Sequence, residues 1–132
     1  MGAWGAGSFE NDDALDWTSK LEIAEDSRIL GATLDRVMRC TGAELEAWAC
    51  SEALAAAEVV AALRDQPAEE LPDEVGSWVE SKRGRHEKDL APLALKAVER
   101  IRADSELKLL WDEDGGEEWE QGLDDLEKRL KA

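Results

Sequence analysis

Histidine is nearly missing from this chain: His86 is the only one in 132 residues. A ferritin-like di-metal centre, which draws on Glu-x-x-His pairs from facing helices, is thereby excluded. Any nucleophilic triad would have to use that same His86. Ser8, Ser27, Ser51, Ser77, Ser81 and Ser105 all lack the Gly-x-Ser-x-Gly setting of a nucleophile elbow. Cysteine is scarce as well. Cys40 and Cys50 are too few for a disulfide scaffold and both fall in helical patterns, so they read as small buried residues with reduced thiols. No run of ~18 apolar residues exists to span a bilayer, and no basic-then-apolar leader opens the chain. The expectation is a cytoplasmic protein with no membrane contact. No stretch alternates apolar and polar residues with β-branched enrichment, so no strand is expected. Basic residues number 16 against 32 acidic ones, a formal charge of −16, which repels nucleic-acid phosphates and anionic membranes.

The acidity is spread evenly, with 13 acids and 5 bases in residues 1–66 and 19 and 11 in residues 67–132. It is therefore a property of one domain and not of an appended tail. Hydrophobic residues at 43% and a length of 132 residues suffice for a core without disulfides or metals. One domain covering 1–132 is expected.

The most informative stretch is the first. Gly5 and Gly7 allow a tight bend between the large rings of Trp4 and Phe9. Asn11 can then cap a helix whose first turn holds Asp12 and Asp13, where exposed amides favour negative charge. Ala14, Trp17, Leu21 and Ala24 form its apolar stripe, with Asp16 and Lys20 paired outside. The motif loop and this helix occupy residues 1–25.

A second helix is expected from about Ser27 to Cys40, with Leu30, Leu34, Val37, Met38 and Thr41 inward and an Asp35–Arg39 pair outward. Thr41-Gly42 reads as its stop. The third, from about Ala43 to Arg64, is alanine-rich and nearly apolar all round from Ala53 to Leu63, the pattern of a central, buried helix. Leu45, Trp48, Ala49, Ala56, Val59 and Leu63 make one face. Glu52 and Glu58 interrupt it. Residues 65–70 link to the C-terminal helices of 73–132. Pro72 suits a first helical turn, with Val75, Trp78 and Val79 inward. The basic cluster Ser81-Lys82-Arg83-Gly84-Arg85-His86 follows. A further helix starts near Asp89, Ser105 caps a short one carrying Leu107, Leu110 and Trp111, and the last follows Gly116 with Trp119, Leu123, Leu126 and Leu130 inward. The sum is an all-α bundle of about six or seven helices around the central one, with no sheet.

The pattern Trp4-Gly5-x-Gly7-x-Phe9-x-Asn11-Asp12-Asp13-Ala14-x-Asp16-Trp17 resembles the signature of a bacterial family catalogued as domain of unknown function 4259. The resemblance extends through Ala53-Leu54-Ala55-Ala56-Ala57-Glu58-Val59-Val60-Ala61-Ala62, Leu71-Pro72-Asp73-Glu74-Val75 and Ser105-Glu106-Leu107-x-x-Leu110-Trp111. It implies a compact bacterial domain and carries no activity.

Six tryptophans stand against one phenylalanine and no tyrosine; stripe spacing makes most of them core, with indole N–H groups bonded internally. The embedded acids admit two roles. In one, Glu52 is a buried acceptor, held by an arginine and by the amides and indole of the Trp4-Gly5-x-Gly7 loop, a structural clasp. In the other, Asp12, Asp16, Glu52 and Glu58 serve a divalent-metal-dependent hydrolase. The spacing of six between Glu52 and Glu58 puts them on different sides of the helix, which speaks against one shared metal. Gly5-Ala6-Gly7 lacks the strand and lysine of a phosphate loop. The leading expectation is a non-catalytic module without cofactor that binds a basic protein, such as an inhibitor or immunity-type partner. Its candidate residues are Trp4, Gly5, Gly7, Phe9, Asn11, Asp12, Asp13, Asp16, Trp17, Glu52 and Glu58.

Overall fold

The computed structural model describes residues 7–25, 27–40, 45–69, 71–82, 89–113 and 115–132. Among them every regular element is helical: α1 (Asp12–Glu22), α2 (Arg28–Arg39), α3 (Ala47–Leu63), α4 (Asp73–Lys82), α5 (Ala91–Ala103), α6 (Glu106–Glu113) and α7 (Glu117–Lys131). The all-α bundle read from the periodicity is the fold.

Helix α3 packs against all six others. Every residue from Ala49 to Ala62 is buried. The alanines make this possible, because small side chains let several helix backbones approach one axis; Ser51, Glu52 and Glu58 are the polar side chains buried along with them. Around it lie Trp17 and Leu21 of α1, Leu30, Leu34 and Val37 of α2, Val75 and Trp78 of α4, Val98 and Ile101 of α5, and Trp119, Leu123, Leu126 and Leu130 of α7. Helix α6 buries no residue fully and rests on the core through half-buried Leu107 and Trp111.

Local chemistry sets the ends. The Asn11 side chain accepts from the Ala14 amide at 2.8 Å, capping α1 as its sequence predicts. Ser105 does the same for α6, accepting from Lys108 N at 3.1 Å. Pro92 lies in the first turn of α5, where no amide is missed. Helix α3 ends in a Schellman turn: Asp65 takes φ 64°, its amide bonds Ala62 O at 3.0 Å, and Gln66 N bonds Ala61 O at 2.9 Å. Gly116, at φ 38°, starts α7; a Cβ there would stand 3.0 Å from the Trp111 carbonyl, so both backbone and space demand glycine.

Several expectations need correction. Helix α1 stops at Glu22, three residues early, because Ile23 to Glu25 turn away and Ile23 is left exposed. Pro72 lies just before α4, its carbonyl accepting from Gly76 N. Met38 is exposed although it was assigned to the inner stripe of α2; Thr33 is the buried residue instead. Trp48, placed with the inner face of α3, is 42% exposed, although Leu45, Ala49 and Cys50 around it are buried. Helix α3 begins at Ala47 and not near Ala43, because Glu46 before it is extended. The Thr41-Gly42 stop and the cluster Arg83–His86 lie outside the described residues.

Candidate functional site

A cleft of about 210 Å³ opens where the opening motif meets α3, α6 and α7. Its walls are Gly7 to Asn11 of the motif, Ser51, Leu54 and Glu58 of α3, Leu107 and Trp111 of α6, and Trp119, Gly122, Leu123, Asp125 and Arg129 of α7, with Ala68 from the linker. The sequence builds it in identifiable steps. Gly115 and Gly116, both at positive φ, join α6 to α7, and both helices pack on α3 and α5. Trp111 and Trp119 then stack, ring centroids 6.4 Å apart and planes 11° from parallel. At the motif end, Glu10 Oε1 accepts from Gly7 N at 3.0 Å and Glu10 N donates to Gly7 O at 3.0 Å, closing a compact turn that delivers Ser8 and Phe9 to the core.

The polar end of the cleft is a three-way contact. Arg129 donates to Glu58 Oε1 at 2.7 Å, and Ser8 Oγ donates to Glu58 Oε2 at 2.9 Å. Arg129 also reaches Asp125 through Nε at 2.8 Å and the Gln66 carbonyl at 3.3 Å, the carbonyl presented by the turn after α3. Burial works against the charge of Arg129, but Glu58 and Asp125 outweigh it and hold its pKa above the ordinary arginine value. The contact ties motif, α3 and α7 together.

Glu52 points elsewhere. Its Oε1 takes a hydrogen bond from Arg36 of α2 at 3.0 Å, and its Oε2 lies 4.0 Å from Lys20 of α1. The spacing of six therefore separates the two acids as the helical wheel requires: Glu52 ties α3 to α1 and α2, Glu58 ties it to the motif and α7. The arginine expected at buried Glu52 is Arg36, while the described contact of the motif loop with α3 falls on Glu58, through the Ser8 hydroxyl. Trp4 and Gly5 lie outside the described residues. Lys20, assigned to Asp16 from spacing, leans toward Glu52. Arg36 also lies over the exposed Trp48 ring, 5.2 Å from its centroid, while the Trp48 indole donates to Glu46 at 2.9 Å.

Asp12, Asp13 and Asp16 are exposed on α1 and are not brought to Glu52 or Glu58. Asp12 and Asp13 serve the helix N-terminus. Among the described residues no group of three or more His, Cys, Asp or Glu side chains is placed to share a metal ion. Trp17 is core, its indole donating to Thr33 Oγ1 at 3.0 Å. Trp78 bonds the Ala24 carbonyl at 3.0 Å.

Sequence reasoning missed four contributors. Ser8 stood at a variable position of the motif. Arg129 stands among the basic residues near the end of the last helix, with no partner assigned to it by the sequence. Trp111 was read as ordinary core. Glu106 caps α3 from across the fold, accepting from Ala47 N at 2.8 Å. Only Arg129 carried a signal: a buried acid in α3 needs a cation, and few bases were available to supply it.

Fold and cleft together define a small acidic all-α bundle whose signature loop is latched to its central helix. The chain belongs to the family described as domain of unknown function DUF4259, whose family model matches residues 2–122. No curated protein and no solved structure matches it.

Proposed function

We propose that this protein is a non-catalytic binding module of the bacterial cytoplasm, acting on a basic protein as an inhibitor or immunity-type partner. The observation that carries this reading is where the fold places its cations. Arg36 serves Glu52, Arg129 serves Glu58 and Asp125, and Arg64 serves Asp89 at 3.3 Å. Arg102 holds Glu120, Asp124 and Glu127 together. Arg100 donates to the Cys40 carbonyl at 2.8 Å and the Asp104 carbonyl at 2.7 Å. With these guanidiniums bonded within the fold, a chain of formal charge −16 presents carboxylates outward. Such a surface accelerates encounter with a cationic partner and disfavours nucleic acid and anionic membranes.

The cytoplasmic assignment rests on two free thiols, Cys40 half-buried and Cys50 buried. Among the described residues no helix is long and apolar enough to cross a membrane.

The test is quantitative binding to basic proteins across a salt series. A Kd that weakens steeply with ionic strength supports the reading. Failure to bind any basic protein at low salt, or an affinity indifferent to salt, overturns it.

A further inference from the structure

Resting on that reading, we infer that the cleft beneath the opening motif is the socket for one arginine side chain of the basic partner. At about 210 Å³ it is smaller than the ~300–1,000 Å³ typical of sites for drug-sized ligands, and its scale suits a single long side chain.

The lining has the chemistry such a side chain needs. Three carboxylates, Glu10, Glu58 and Asp125, face one guanidinium, Arg129, so the described lining is acidic. Each carboxylate offers about four lone-pair positions. Glu58 commits two to Arg129 and Ser8, Asp125 commits one to Arg129 Nε, and Glu10 commits one to Gly7 N. The remaining positions accept a second guanidinium, with the acids lying between the two cations and screening their repulsion. Leu54, Leu107 and Leu123 cover an aliphatic stem. The Trp111–Trp119 stack supplies indole surface on which a planar guanidinium is favoured over an ammonium. Among the described residues indoles already receive cations at Trp48, under Arg36, and at Trp78, under Lys82, so the peptide comparison below decides between the two.

Gly122 is a further observation. It sits in the interior of α7, on the exposed side of the cleft lining, and a Cβ there would meet nothing within 4 Å. Packing does not demand the glycine and helix stability disfavours it. Its effect is to keep this wall of the cleft low.

Calorimetric titration with a short oligo-arginine peptide at low salt, compared with an oligo-lysine of equal length, tests the socket. The variants are Gly122→Phe, which fills the cleft from open space, and Asp125→Asn. Asp35→Asn on α2 is the charge-matched control outside the cleft. Arginine peptide is expected to bind more tightly than lysine peptide. Gly122→Phe and Asp125→Asn should each weaken it by about tenfold while Asp35→Asn leaves it unchanged. Unchanged affinity in a Gly122→Phe protein with a wild-type melt overturns the socket and leaves the basic-partner reading standing. If Gly122→Phe does not fold, Asp125→Asn against Asp35→Asn decides. A wild-type protein that binds neither peptide overturns both.

Discussion

Glu58 and Arg129 are 71 residues apart in the chain and meet at 2.7 Å inside the fold, their side chains 7% and 13% exposed. A pair so buried is worth more as a constraint than as a source of net energy, because both ions lose their hydration. Removing one partner leaves a stranded charge. Arg129→Met should therefore cost about 3–5 kcal/mol in urea denaturation. The double variant Glu58→Leu with Arg129→Met should recover most of that loss. A double variant as unstable as the single one would show that the pair is not the coupling.

Glu52 is a different case, since its cations lie at the surface: the Arg36 side chain is 46% exposed and that of Lys20 67%. Water and Lys20 can both compensate for a lost partner. Arg36→Ala should cost only about 1 kcal/mol. Glu52→Ala should likewise cost less than Glu58→Ala, whose Ser8 and Arg129 donors are part-buried. Equal losses for the two glutamates in thermal melts would contradict this ordering.

Burial pushes the Cys50 thiol up from 9.0 to about 11, against the lowering effects of Ser105, the Leu107 backbone and Arg100. The fold thus favours the neutral thiol. Its contribution is complete below the unfolded value near 9 and is lost as pH rises toward 11, because the unfolded chain gives up its proton first. The loss across that window is about 2–3 kcal/mol. Cys50→Ala should flatten the fall in stability between pH 9 and pH 11 relative to wild type. An identical slope in the variant would rule the thiol out as its source.

Asn11→Ala removes the acceptor that holds the Ala14 amide and should destabilise the protein by about 1 kcal/mol. The same change loosens the entry of the motif into α1. Hydrogen exchange at Asp12 to Ala14 should quicken before global stability is lost.

Thr33→Val keeps the shape of a buried side chain but deprives the Trp17 indole of its acceptor, 3.0 Å away. A buried donor left unpaired should cost about 1–3 kcal/mol. A neutral result in chemical denaturation would mean that the indole finds another partner.

Much of the fold was legible because its signals are local. Asn11 before two aspartates, Ser105 before Glu106, and Gly116 before an acidic turn each mark a helix start by side chain or backbone alone. The all-round apolar stretch of α3 announced its central place for the same reason: no other position buries every face. Trp48 was misread because periodicity says which residues share a face but not how much of that face its neighbours cover. The candidate site was half legible. The motif drew attention to residues 7–11, and the acids of α3 called for partners. Which partner met which acid depended on α7 returning across α3, and spacing in the chain carries no trace of that.

The sequence by itself determined the helical class, the central helix and the excess of negative charge, because composition, caps and a period near 3.6 act within a few residues. Only the tertiary structure decided that Ser8 and Arg129 share Glu58, that Glu52 faces Arg36, and that Trp111 and Trp119 stack over a cleft. Those contacts span 50, 71 and 16 residues and the stack bridges two helices, so they exist only once packing has fixed helix against helix.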